Sequence, residues 1–288
     1  MQGRPLSVLP QHWSGNVCAR AKCRQGSGTG CCCWRQVDIG SGLSILIAQI
    51  TDCHLPADPQ QKYRGIKPHK NLKKLLKKVR AMRPDLLLAS GDLSEDGSRA
   101  SYLALKGYFN PLDIPVLALP GNHDDAEMLA EFFPGSPVDT ISALELGPWR
   151  IVRLNSCLPG KPEGLLSEKT LLDLEEFLAL HNRGPIVIVL HHQPVAINSP
   201  WIDKYRLLEP EAFLKLVDQH PNVKAVVWGH VHQQYEVDRN GTAMLGGPSS
   251  AVNGMKTAQK FTPDRTGPAC RWLELEIDGS ISTGTVGV

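Results

Sequence analysis

Five short clusters of oxygen and nitrogen donors follow one another along this 288-residue chain. They are Asp52 with His54, Asp92 after Gly91, Asn122-His123-Asp124 after Gly121, His191-His192, and His230 with His232 after Gly229. Carboxylates, an amide oxygen and imidazoles suit manganese, iron or zinc, whereas a structural zinc site favours thiolates. Two such ions a few ångströms apart supply a nucleophile at neutral pH and clamp a phosphoryl group for in-line displacement. Singly, each cluster has a plain explanation. Gly-Asp is usually a turn, Asp124 is a candidate N-cap for the helix after it, and a lone histidine is more often a satisfied core or surface residue. The order changes the balance, because nearly every cluster follows an apolar run that reads as a strand. The pattern predicts a binuclear metallohydrolase acting on a phosphoester.

The elements that must position these donors are legible from periodicity. Residues 44–51 (SILIAQIT) form an apolar, β-branched run, and 85–90 and 115–119 form two more. Between them, 71–82 carries Leu72, Leu75, Leu76 and Val79 at helical spacing and ends before Pro84, and 98–108 reads as a second helix. Three strand–donor–helix units in succession predict a parallel-rich α/β sheet with right-handed crossovers, which puts all three donor turns on one edge. Next come a hairpin of 141–146 with 150–155 around Gly147-Pro148, and a helix over 167–180 capped by Ser167. A strand at 185–190 delivers His191-His192, a helix spans 209–219, and a strand at 223–228 delivers Gly229-His230. Short strands follow at 233–237, 242–245, 271–277 and 281–286.

Side chains two apart on an extended chain share a side, so Asp52 and His54 can reach one ion, and His230 and His232 again share one side. By the same rule only one of His191 and His192 faces the site, and spacing does not choose between them. Asp92 is placed to bridge two cations. His123 is expected to reach the leaving group, with Asp124 orienting its ring through a hydrogen bond. Cys53 alternates away from the donors and reads as a small buried residue.

The rest of the composition excludes more than it suggests. No apolar run approaches a membrane span. The formal charge of +2 argues for neither nucleic-acid nor membrane partners. The lysine-rich helix face between Lys67 and Arg80 reads as a solvated surface, and no aromatics interleave with it. Cysteines crowd the N-terminal segment (Cys18, Cys23, Cys31, Cys32, Cys33) rather than spreading as a disulfide framework, so the body reads as reduced and cytoplasmic. That segment shows no periodicity and no secretory h-region. A zinc knuckle using His12 lacks the paired spacing. Residues 1–42 are therefore expected to be a disordered extension, and 43–288 a single domain.

The motifs D-x-H, G-D, G-N-H-D, H and G-H-x-H in this order resemble the calcineurin-like metallophosphoesterase superfamily, from Ser44 to the C-terminus. The resemblance implies a four-layer α/β sandwich of two mixed sheets flanked by helices. It implies that Asp52, His54, Asp92 and His232 hold one ion, and that Asp92 bridges to a second held by Asn122, His192 and His230. His192 is preferred over His191 because the family's ligand histidine often stands two residues before a proline, here Pro194. Iron and manganese are the implied metals, with zinc as the alternative.

Finer segments are similar to bacterial class III cyclic-nucleotide phosphodiesterases. They are 91–97, 200–203, Gly247-Pro248-Ser249-Ser250 and 267–275. Ser250 replaces the family's usual threonine, and Gln193 stands where His or Pro is common. The implied reaction converts 3′,5′-cyclic AMP, and other cyclic nucleotides, to the 5′-monophosphate, with His123 as general acid. The implied substrate contacts are Asn122, His123, His232 and Trp201. Trp201 is expected either to cover the core or to stack on the base. A phosphomonoesterase or glycerophosphodiesterase with the same metals is the rival enzyme, and a non-catalytic binding protein is the rival of another class. The expected partner is the small nucleotide, with a homodimer left open.

Overall fold

The computed structural model describes residues 35–37 and 44–288. The chain opens with β1 (Arg35–Val37), β2 (Ser44–Ile50), α1 (Pro68–Met82), β3 (Leu86–Ser90), α2 (Arg99–Phe109) and β4 (Val116–Leu119). It continues through α3 (Ala126–Phe132), β5 (Ser142–Leu146), β6 (Trp149–Arg153), α4 (Glu168–Leu180) and β7 (Ile186–Val189). The last part comprises α5 (Glu211–Gln219), β8 (Val223–Trp228), β9 (Tyr235–Arg239), β10 (Thr242–Gly246), β11 (Ala269–Glu276) and β12 (Ile281–Gly287).

Local signals account for most of these elements. α1 begins with Pro68 in its first turn, where a missing N–H costs nothing, and buries the stripe of Leu72, Leu75, Leu76 and Val79. Ser98 and Ser167 cap α2 and α4 by accepting from Ser101 N and Thr170 N. β5 and β6 form the hairpin that Gly147 turns.

The strands fall into two mixed sheets, ordered β1-β5-β6-β7-β8-β10-β9 and β12-β11-β2-β3-β4. Their inner faces share one apolar layer, with Ile47, Leu86, Leu88 and Leu119 against Leu146, Trp149, Ile151, Val189 and Val227. The outer face of the five-stranded sheet packs against α1, α2 and α3, and that of the seven-stranded sheet against α4 and α5. The result is the four-layer sandwich that the resemblance implies.

Among the described residues one short strand precedes residue 43. β1 pairs in parallel with β5, Arg35 opposite Leu144 and Val37 opposite Leu146, as an edge strand. Three residues are too few for a two-residue alternation to register in the sequence. The rest of the N-terminal segment, including His12 and its five cysteines, lies outside the described residues.

This topology positions the donors. β2, β3 and β4 are parallel neighbours, so the turns that follow them lie on one edge. β7 and β8 are parallel neighbours in the other sheet, and their ends face the same edge across the sandwich. The seam is hydrogen-bonded: Asp52 N donates to Gly91 O, Gly229 N to His191 O, and His230 N crosses sheets to the Asp52 carboxylate.

Candidate metal centre

The donors do not lie on extended strand, and this corrects the alternation argument. Asp52, His54, Asp92, His230 and His232 all have positive φ, between 45° and 64°. Left-handed backbone is uncommon for residues with a Cβ and is costly unless the surroundings enforce it, so it concentrates at functional sites. Here it curls each strand end back on itself. Asp52 and His54 fall in one donor group with His232, whereas His230 falls in another with His191 and His192. Likewise β7 ends at Val189, so His191 and His192 lie beyond the pleat and both turn into the site. Gly229 permits the closeness, since a Cβ there would run into Thr51 Oγ1 and Ser90 O.

Each imidazole in the cluster is held by one nitrogen and leaves the other inward. His54 Nδ1 lies 2.7 Å from Glu95 Oε2, His232 Nδ1 2.7 Å from Val252 O, and His192 Nδ1 2.9 Å from Ser156 Oγ. His230 is reversed: its Nε2 lies 3.0 Å from Tyr205 O, which leaves Nδ1. Outer acceptors of this kind fix the tautomer and aim of metal-binding histidines. The inward atoms converge. His54 Nε2 and His232 Nε2 are 3.1 Å apart, with Asp52 Oδ1 at 3.2 Å from the second and Asp92 Oδ2 at 3.8 Å from the first. His191, His192 and His230 form a second group able to hold an ion, and Asp52, His54 and His232 a first. His192 Nε2 and Asn122 Oδ1 are shut off from solvent with no hydrogen-bond partner. Buried polar atoms left unsatisfied are costly, and a cation would satisfy both. The donor set therefore fits two ions.

Electrostatics separate the adjacent histidines. Burial drives His192 well below the ordinary imidazole range, aided by His230 and His191, and takes His230 down to about 3. Both stay neutral, the form that binds metal. Burial opposes charge on His191 too, but Asp92, then Asp52, outweigh it and carry its pKa to about 9. His191 Nδ1 lies 2.9 Å from Ser90 O, and its Nε2 lies 3.3 Å from Asp92 Oδ2, too poorly aligned for a hydrogen bond. His191 Nε2 and His192 Nε2 are both buried without a hydrogen-bond partner, His192 held neutral by burial and His191 facing Asp92.

Asp124 does not orient His123. Its buried carboxylate accepts from Leu93 N, Ser94 N, Gly121 N and Tyr102 OH, and so ties the 121–124 turn to the turn after β3. Burial and nearby Asp92 push its pKa up to about 6. It caps no helix either, since Asp125 caps α3. The residue beside the His123 ring is Glu95: His123 Nδ1 lies 3.3 Å from its Oε2 and 3.4 Å from its carbonyl. One carboxylate therefore touches both His54 and His123.

The donors floor a cavity of about 230 Å³. Asn122, His123, His230 and His232 line it, together with the aromatics Tyr63, Trp201, Tyr205 and Phe261 and the cations Arg64, Lys204 and Lys260. Trp201 is 5% exposed and packs edge-on against Phe261, 5.0 Å between ring centroids, so it is more wall than free stacking platform. Gln193 points away from the donors and anchors the Trp201 segment through Ile202 O. Ser249 Oγ donates to Asp52 O and accepts from Ala251 N and Val252 N, bracing the first cluster. Sequence reasoning missed Glu95, Ser156, Tyr63, Arg64 and Phe261. Their types carry no metal signal, and only the fold brings them here.

The chain belongs to the calcineurin-like phosphoesterase family, whose model matches residues 45–234. It is 36% identical to a 3′,5′-cyclic-nucleotide phosphodiesterase of Nostoc sp. over 84% of this chain and 91% of that protein. It is 34% identical to the 3′,5′-cyclic adenosine monophosphate phosphodiesterase CpdA of Pseudomonas aeruginosa, over 84% and 89%. Among solved structures, a dimetal phosphatase from Danio rerio superposes with a TM-score of 0.60 at 16% identity, covering 84% of this chain and 98% of that one. That likeness concerns the fold alone.

Proposed function

We propose that this protein is a binuclear-metal phosphodiesterase that hydrolyses 3′,5′-cyclic AMP, and other cyclic nucleotides, to the 5′-monophosphate. The observation that carries the reading is the inward convergence of imidazole nitrogens, two carboxylates and an orphaned amide oxygen beneath a cavity of nucleotide-fragment size. The relatives named as cyclic-nucleotide phosphodiesterases support the substrate class.

In this reading Asp52, His54, Asp92 and His232 hold one ion, and Asp92, Asn122, His192 and His230 the other. Iron and manganese suit these hard and borderline donors. Bound there, the pair supplies the Lewis acidity and activated water that phosphoester hydrolysis needs. The chain's own residues do the rest. Glu95 fixes the His123 ring through Nδ1, which leaves Nε2 to carry a proton to the departing ribose oxygen. Burial works against charge on His123, but Asp92 and Glu95 outweigh it and raise its pKa, so the acid form is available. Trp201, Tyr205 and Phe261 exclude water and bound the base.

The test is turnover of cyclic AMP, cyclic GMP and bis(p-nitrophenyl) phosphate by purified protein supplied with manganese or iron. The expected product is 5′-AMP. Cleavage of the aryl diester with no 5′-AMP from cyclic AMP would reassign the protein to other phosphodiesters.

A further inference from the structure

We infer that the Tyr63 hydroxyl is a substrate-binding group, aimed by Arg64 at a phosphoryl oxygen of the bound ester. The inference rests on the metal reading above. Tyr63 lies flat against the His54 ring, with centroids 4.1 Å apart and planes at 12°, and is almost wholly buried. Its hydroxyl lies at the cavity and 3.3 Å from His54 Nε2.

The bookkeeping of protons leads to the substrate. Arg64 Nε donates to the Tyr63 oxygen at 2.9 Å, so that oxygen already accepts. Its own proton must go elsewhere. His54 Nδ1 faces the Glu95 carboxylate at 2.7 Å and carries the ring proton, so Nε2 bears the lone pair. Nε2 is the hydroxyl's protein acceptor within reach, and it is also the atom that an ion at the first site takes. Once that lone pair is engaged, the hydroxyl is left with a proton and no hydrogen-bond acceptor among the described residues. A phosphoryl oxygen bound at that ion is the group that fills the need.

The backbone has been shaped to put Arg64 there. Tyr63 and Ile66 exchange two backbone hydrogen bonds of 3.0 Å around a two-residue turn with Arg64 at φ 45° and Gly65 at φ 85°. Tight turns of this kind favour Asn or Gly at the first position, and arginine there is strained. The guanidinium then stacks 3.8 Å above Phe261, whose ring packs against Trp201 and His232. The strained arginine is thus locked between the phenol it orients and the far cavity wall.

The test uses Tyr63→Phe, which keeps the ring stacked on His54 and deletes only the hydroxyl, with Arg64→Ala as companion. Metal content, the Kd for 5′-AMP by calorimetry, and kcat/KM on both cyclic AMP and bis(p-nitrophenyl) phosphate are measured. Both metals should be retained. Tyr63→Phe should weaken 5′-AMP and lower kcat/KM on each cleaved diester by about tenfold or more, as for loss of one donor to a charged oxygen. Arg64→Ala should give a smaller loss in the same direction. If cyclic AMP proves inert, the aryl diester still reads the phosphoryl contact, so the two readings fail separately. A fully metallated Tyr63→Phe with unchanged Kd and kcat/KM would overturn the inference. So would loss of metal, which would make the hydroxyl a support for His54 instead.

Discussion

Glu95 is expected to join metal binding to acid catalysis, and Glu95→Ala separates the two. The carboxylate is 2.7 Å from His54 Nδ1 and 3.3 Å from His123 Nδ1, with its side chain 25% exposed. Removing an outer partner of a ligand histidine costs about 10- to 100-fold in metal affinity, which is about 1.4 to 2.8 kcal/mol. Excess metal should repair that part. The second part remains, because His123 then loses the group that fixes its ring. General acid catalysis is worth roughly 10²- to 10⁴-fold, and a mis-aimed acid should lose a tenth or less of its rate on the nitrophenyl ester but about ten- to a hundredfold on an alkoxide leaving group. Glu95→Gln should bind metal nearly normally, since its amide oxygen still accepts from His54. The assay compares cyclic AMP with bis(p-nitrophenyl) phosphate at saturating manganese, with metal content measured alongside. Asp124→Asn is the control. It disturbs a carboxylate that accepts three backbone N–H groups and one phenol. It should destabilise the fold by about 1 to 3 kcal/mol without altering the dependence on leaving group. Equal losses on both substrates in metal-saturated Glu95→Ala, or a stronger leaving-group dependence in Asp124→Asn, would refute the assignment.

Asp92→Ala is expected to abolish turnover and lower bound metal while circular dichroism stays native, since its carboxylate accepts from the backbone at His123 N and otherwise faces the donor histidines. Retained activity would end the bimetal reading. His123→Ala should keep its metal and lose two to four orders of magnitude, roughly, on a poor leaving group but far less on a nitrophenyl ester. Trp201→Ala should raise KM for cyclic AMP more than for a small aryl diester, and should also lower the melting temperature, because the ring is buried against Ile202 and Phe261. A KM effect with no thermal cost would contradict its role as wall. A chain beginning at Leu43 should still fold and bind metal, since it loses only the β1 edge pairing among the described residues. A large fall in bound metal would show that the segment before it matters.

The donors were legible in the sequence because each is a chemically distinctive residue at the end of an apolar run, and both signals are local. The sheet layers followed from the same runs, whose inward alternation leaves few ways to bury them. The choice of His192 over His191 needed the family resemblance, because both imidazoles turn inward and both leave Nε2 without a partner. Three things were out of reach. Asp52, His54, Asp92, His230 and His232 have left-handed backbone, so a rule about extended chain does not describe them, and it gave no sign that His230 and His232 fall in different donor groups. Asp124 looked like the partner of His123 because it is adjacent, yet a side chain bonds to what the fold brings near, and the fold brought Glu95. Tyr63, Arg64, Trp201 and Phe261 stand up to about two hundred positions apart and become one cavity rim only when the loops after several strands meet. Residue types and local periodicity are properties of the chain. The partner of each polar atom is a property of tertiary packing, which no window of sequence contains.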